Sequence, residues 1–255
     1  MTKVPVADIA EIDVAESGQD GVTAAVESLR RDGVVILRRA VDPSTVARLQ
    51  DMVEDWHSRF LAGQVENYSL GEEVTKTRMI VLPPDCLDSP FLHTDAESLA
   101  DIVENPDASP VMVSAQVFLS DLPTPGMGNF TCVPGSHRQR YPWSPDNPTR
   151  SQLGGPLGQD IPMDIRRQVL ANAGDAVVFI HSLWHGATSN TSPSPRRSVI
   201  VAYAKPFVRP YGYERTPQLV LDHGTRRQRL LFGDLGGWPG DRDASTTCRT
   251  ATSTP

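Results

Sequence analysis

The chain has 255 residues, 39% hydrophobic and 22% charged, which suffices for one large domain with its own core. A formal net charge of −7 argues against a nucleic-acid binder, which usually shows a basic face. No apolar run approaches the roughly 18 residues of a membrane span, and the polar N-terminus lacks signal-peptide character. Cys86, Cys132 and Cys248 form no Cys-x-x-Cys pair, so neither a disulfide framework nor a zinc knuckle is expected, and the expected location is cytoplasmic.

Residues 1–18 show no period and read as a loose leader. Val22, Ala25, Val26 and Leu29 then recur at helical spacing up to Asp32-Gly33, which ends the helix. Val34 to Leu37 reads as a short buried strand. Asp42-Pro43 opens a second helix, whose apolar stripe is Val46, Leu49, Met52, Val53, Trp56 and Phe60, with Trp56 in the core and His57 at its edge. Thr75 to Leu82 looks extended, and Ala96 to Val103 looks helical.

Val111 to Leu119 is a β-type run with small residues Ser114 and Ala115 at its middle. Asn129 to Val133 is another strand, closed by Pro134-Gly-Ser-His137. Residues 138–165, rich in Pro and Gly, form a loop long enough to gate or line a pocket. Residues 66–85 are expected to line the same side. Gly174-Asp175 then turns into a strand ending near His185. A Pro-containing loop follows, and a second strand runs from Arg196 to Tyr203. These two strands are read as one hairpin that brings His185 close to Arg196. A short helix is expected over Gln218–Leu231, and residues 239–255 read as a second loose tail.

No internal repeat or linker divides the chain, so a single domain with its core over about 20–235 is expected. Two helices followed by many short strands predict a mainly β fold with flanking helices. A double-stranded β-helix, the jelly roll of cupin-like proteins, fits best.

His93 and Asp95 stand at i and i+2, so on an extended segment both side chains leave by one face. With His185 they make two imidazoles and one carboxylate, the facial set of non-haem Fe(II) oxygenases. Zinc accepts the same ligands. Arg196 shifts the balance, because its fork suits a carboxylate that a zinc hydrolase has no need to hold. His137 is expected to be structural, His181 to be a core group and His223 to lie at the surface. Trp184 should point away from the site.

Four pieces of the chain, in order, resemble the phytanoyl-CoA dioxygenase family of Fe(II)/2-oxoglutarate oxygenases. They are Asp32-Gly-Val-Val-Ile-Leu37 with the Asp42-Pro43 helix, His93-x-Asp95, Val133-Pro-Gly-Ser-His137, and Gly174-Asp175 through His185 to Ser192 and Arg196. The resemblance implies that His93, Asp95 and His185 bind Fe(II), and that Arg196 binds the far carboxylate of 2-oxoglutarate. It offers Gln116 and Thr131 as further 2-oxoglutarate contacts, by strand register. Met127 and Ala187 replace an asparagine and a serine found in relatives.

The implied activity is oxidation of a small molecule with Fe(II), 2-oxoglutarate and O2, giving succinate and CO2. Hydroxylation is the default, while desaturation, ring closure and epimerisation use the same site. Asp95 argues against a halogenase, which carries Gly or Ala there. The acidic chain lacks a basic patch for CoA phosphates, so a small polar molecule of secondary metabolism is the expected substrate. Two alternatives stand beside this reading: a cupin-like metal enzyme independent of 2-oxoglutarate, and a non-catalytic jelly-roll binding module.

Overall fold

The computed structural model describes residues 8–64, 78–82, 92–95, 110–138, 152–153, 164–205, 218–232 and 234. Most of the proposed pocket loop over 138–165, the helix expected over 96–103, most of 66–85 and the tail over 239–255 lie outside the described residues.

The first difference from expectation is at the N-terminus. Glu11–Asp13 is a strand, β1, and Val14–Asp32 is a helix, α1, so the ordered fold starts well before residue 20. Asp13 caps the helix by accepting from the Ala15 amide. The helix bends at Gly18, whose φ of 50° and ψ of −136° are non-helical, and this break hides the period from sequence inspection. The buried face is not the one the apolar spacing marks. Gly21 and Ser28 sit against the sheet, while Val22 and Val26 of the predicted stripe are exposed. A methyl group on Gly21 would lie 3.2 Å from Ile12 Cγ2 of β1, so a small residue permits the close approach.

Val34–Arg38 forms β2, parallel to β1, and Pro43–Leu61 forms α2, capped by Asp42 and with Pro in its first turn. Val46, Val53 and Trp56 of α2 are buried, as expected, whereas Met52 is exposed. The remaining strands are Arg78–Leu82 (β3), Leu92–His93 (β4), Met112–Phe118 (β5), Phe130–Cys132 (β6), Gln152–Leu153 (β7), Arg167–Gln168 (β8), Ala176–Ile180 (β9), His185–Ala187 (β10) and Arg196–Ala204 (β11). Two short helices, Gln218–His223 (α3) and Arg226–Leu231 (α4), follow. None of the described helices is long and apolar enough to cross a membrane.

The strands make two sheets, in the orders β1-β2-β9-β5-β11-β3 and β7-β4-β10-β6-β8. One apolar cluster joins them: Val34, Ile36, Phe118, Val177 and Phe179 from the first meet Phe130 and Cys132 from the second. The outer face of the six-stranded sheet is covered by α2, where Val117, Val199 and Val201 pack on Val46, Val53 and Trp56. Alternation along β5 and β11 therefore assigns every residue a side.

The predicted hairpin is corrected. β9 and β11 lie in the same sheet but are separated by β5, and His185 belongs to β10 in the opposite sheet. Between Ile180 and His185 the chain crosses from one sheet to the other, turning through a bond from the Leu183 amide to the Ile180 carbonyl at 3.0 Å. His185 and Arg196 thus stand on opposing sheets and not at one hairpin edge.

Asp175 ties the start of β9 to the N-terminal elements. Its buried carboxylate pairs with Arg38 at 2.7 Å and accepts from the Arg39 and Asn172 amides at 2.9 Å each. Arg38 also pairs with the half-exposed Glu11 of β1 at 2.7 Å. Breaking a buried, multiply bonded carboxylate strands its partners, whereas an exposed ion pair contributes little. Asp175→Ala should therefore cost about 3 kcal/mol in chemical denaturation, and Glu11→Ala under about 1 kcal/mol.

Candidate metal and anion site

His93, Asp95 and His185 converge so that one ligand atom from each lies within 4.8 Å of the others. His93 and His185 are cross-strand partners of β4 and β10, which puts both rings on one face, with centroids 4.3 Å apart. Asp95 follows β4, and its Oδ1 lies 3.9 Å from His93 Nε2 and 3.7 Å from His185 Nε2. His185 Nδ1 is 2.9 Å from the Leu183 carbonyl oxygen, which can only accept. Nδ1 therefore carries the proton, and Nε2 presents its lone pair to the cluster, the state a metal requires.

The surroundings are asymmetric. The rings of Phe130 and Phe179 flank His185, with centroids at 5.7 and 4.4 Å, and its side chain is 7% exposed. The side chains of His93 and Asp95 are 35% and 28% exposed, so the cluster has a dry floor and an open mouth. Cys132, opposite His185 in the register, is buried in that floor, and burial pushes its thiol pKa well up, so it remains a neutral packing group.

Among the described residues, two hold Asp95. Its amide donates to the His181 carbonyl at 2.8 Å, and Ser114 Oγ donates to its Oδ2 at 3.0 Å. His181 is a buried residue whose ring bonds the Met112 carbonyl at 3.1 Å, so its contribution to the site runs through its backbone. Ser114 stood in the sequence only as a small residue in a strand, and nothing local marks it as a partner for Asp95.

Arg196 and Arg197 leave β11 by opposite faces. Arg197 points outward and pairs with Glu54 of α2 at 2.6 Å, so it is ion-paired and not simply solvated. Arg196 points into the space between the sheets and is 4% exposed. Its Nη1 donates to Ser198 Oγ at 3.2 Å, and that oxygen also accepts from Gln116 Nε2 at 2.9 Å. Among the described residues no carboxylate pairs with Arg196, and its buried Nε has no partner. Burial without a counter-charge pushes its pKa down to about 10. A buried cation in that state matches an anionic ligand.

Ser114 and Gln116 occupy the same inward face of β5, about 7 Å apart along the strand. One touches the metal cluster through Asp95, and the other reaches the Arg196 clamp through Ser198.

Thr131 is placed elsewhere. Phe130 and Cys132 face the core, so Thr131 between them faces outward, where its Oγ1 donates to the Arg167 carbonyl at 3.1 Å. The structure does not bring it to the triad. His137 is likewise structural, buried beside Gly33 and bonded to the Arg30 carbonyl at 3.2 Å. Trp184 packs with Leu92 and Val133 in a separate cluster.

Comparison with known proteins gives a consistent result. The family pattern of phytanoyl-CoA dioxygenase (PhyH) matches residues 76–198, a span that includes every residue of the site. The chain is similar to the ectoine dioxygenase of Nocardia farcinica, 28% identical over 171 residues, covering 62% of this chain and 55% of that protein. It spans, therefore, little more than half the length of that relative. Dioxygenase trt7 of Aspergillus terreus is 23% identical over 82% of each chain. HygX of Streptomyces hygroscopicus, solved with nickel and 2-oxoglutarate, superposes with a TM-score of 0.52 at 16% identity, over 72% of this chain and 87% of that one.

A ligand that binds only the folded state stabilises it by mass action. Excess Co(II), a redox-stable substitute for Fe(II), should raise the melting temperature of the wild-type protein. Asp95→Ala and His185→Ala should fold yet show no such rise in a thermal-shift titration.

Proposed function

We propose that the chain, which matches the phytanoyl-CoA dioxygenase family pattern over residues 76–198, is an Fe(II)/2-oxoglutarate-dependent oxygenase that oxidises a small molecule at the His93–Asp95–His185 centre. The observation that carries this reading is the pairing of that cluster with a buried, uncompensated Arg196 across the inward face of β5. The two facing sheets are read as a double-stranded β-helix and the chain as one catalytic domain.

Fe(II) bound by the triad supplies the chemistry, oxidation of a substrate C–H bond by O2 coupled to conversion of 2-oxoglutarate to succinate and CO2. The protein's own groups position the reactants. His93, Asp95 and His185 would hold the metal through two imidazoles and one carboxylate. Arg196 and Ser198 receive the distal carboxylate, and Gln116 holds the Ser198 hydroxyl oxygen in place. Phe130 and Phe179 keep water from the His185 side, so the substrate enters by the exposed edge of His93 and Asp95.

The substrate is a small molecule, and secondary metabolism is the favoured setting. HygX has been solved with hygromycin B, and another structural relative is a carbocyclase from nogalamycin biosynthesis. Hydroxylation is the default outcome. A cupin-like enzyme independent of 2-oxoglutarate, or a binding module, leaves the buried Arg196 without a purpose.

The test is succinate release with Fe(II), 2-oxoglutarate and O2 across a panel of small polar natural products. Release coupled to oxidation of one member supports the assignment, and a protein that binds metal but never consumes 2-oxoglutarate refutes it. Arg196 gives a sharper check. Removing the partner of a buried carboxylate costs about 3–5 kcal/mol, so Arg196→Met should weaken 2-oxoglutarate binding roughly a hundred- to a few-thousandfold. The same change removes an uncompensated buried charge, so it should raise the ligand-free melting temperature. Arg197→Ala should leave 2-oxoglutarate binding within about threefold of wild type, because its charge sits on the outer face.

A further inference from the structure

We infer that Ser114 is a positioning residue that makes Asp95 a one-oxygen ligand, an inference that rests on the metal-site reading above. The carboxylate is divided between two tasks. Oδ1 faces both imidazole Nε2 atoms, at 3.7 and 3.9 Å, while Oδ2 accepts from Ser114 Oγ at 3.0 Å. A carboxylate beside a metal can ligate through one oxygen or both. The hydrogen bond engages the second oxygen and fixes the rotation of the group. Asp95 would then offer a metal one oxygen only.

The hydroxyl is well placed for this task. Ser114 is 1% exposed, so its proton has few destinations, and Asp95 Oδ2 is the acceptor the structure provides. The two residues are also held together without the hydroxyl. The Asp95 amide donates to the His181 carbonyl at 2.8 Å, and the His181 amide and ring both bond the Met112 carbonyl, at 3.2 and 3.1 Å. Met112 lies two residues from Ser114 on β5, so the backbone closes a circuit that the side-chain bond completes. These backbone bonds do not depend on the hydroxyl, whose removal should free the carboxylate.

The same face of β5 carries Gln116, which steadies Ser198 beneath Arg196. One strand therefore orients the metal's carboxylate at one position and the anion clamp at the next inward one. Ser114 acts through Asp95 and touches neither metal nor substrate.

The experiment measures Co(II) affinity, by the visible d–d bands of the bound ion, in wild type and in Ser114→Ala, Ser114→Val and Ser114→Thr. Valine and threonine match in shape and differ in the hydroxyl, so they separate hydrogen bonding from packing even if the alanine protein fails to fold. Loss of a partner to a metal ligand typically lowers affinity 10- to 100-fold, so Ala and Val should fall by about that much while Thr stays within about threefold of wild type. The Co(II) spectrum should change with Val and not with Thr, because the carboxylate is then free to offer its second oxygen. Val binding Co(II) with the affinity and spectrum of wild type would overturn the inference, as would Thr losing as much as Val. If wild type itself binds no Co(II), the metal-site reading fails first, and the role of Ser114 falls with it.

Discussion

The hydrogen bond from the Asp95 amide to the His181 carbonyl joins two segments that would otherwise have little reason to meet. His93 sits on a two-residue strand held by one register pair to β10 and two to β7, a weak anchor for a ligand pair. His181 begins the crossover between the sheets, and its amide is fixed to the end of β5 through Met112. By bonding Asp95 to that crossover, the chain sets the carboxylate against β5 and against His185 together. The crossover exists because β9 belongs to one sheet and β10 to the other.

The two sheets divide the work. The five-stranded sheet supplies both imidazoles, and the six-stranded sheet supplies the hydroxyl on Asp95 and the arginine clamp. Apolar side chains from both fill the space behind His185. This arrangement places a cation where water cannot screen it, and burial lowers the Arg196 pKa to about 10. The neighbouring Arg197, one residue along, satisfies its charge with Glu54 on the outer face. A single strand thus carries a paired arginine that fastens α2 and an uncompensated one suited to a ligand. Among the described residues, a carboxylate pairs with the arginine on the outer face and none with the one on the inner face.

Several features were legible from residues alone. The His-x-Asp spacing put two side chains on one face of an extended segment, and the structure shows both directed at His185. Alternation required Arg196 and Arg197 to diverge. The Asp42-Pro43 start, the burial of Trp56 and the turn at Pro134-Gly-Ser-His137 follow from local chemistry and occur as expected. Other readings failed where local pattern is silent. In α1 the small residues Gly21 and Ser28 are buried while Val22 and Val26 are exposed, so hydrophobic spacing does not report the buried face. Thr131 is buried, and its hydroxyl bonds the Arg167 carbonyl on the side of β6 away from Phe130 and Cys132.

What the sequence by itself determined is therefore the inventory of ligands and the period-two rule that pairs them, because both depend on covalent spacing and backbone geometry. Which face of β11 looks inward was decided by α2, which buries Val199 and Val201 and so turns Arg196 to the other side. That His185 opposes Arg196 across a core, and does not neighbour it on a hairpin, was decided by β5 inserting between β9 and β11. The contact between Ser114 and Asp95 belongs to the same category. Its partners are nineteen residues apart and meet only once the crossover is fastened, and no local spacing encodes a distance that long-range hydrogen bonds create.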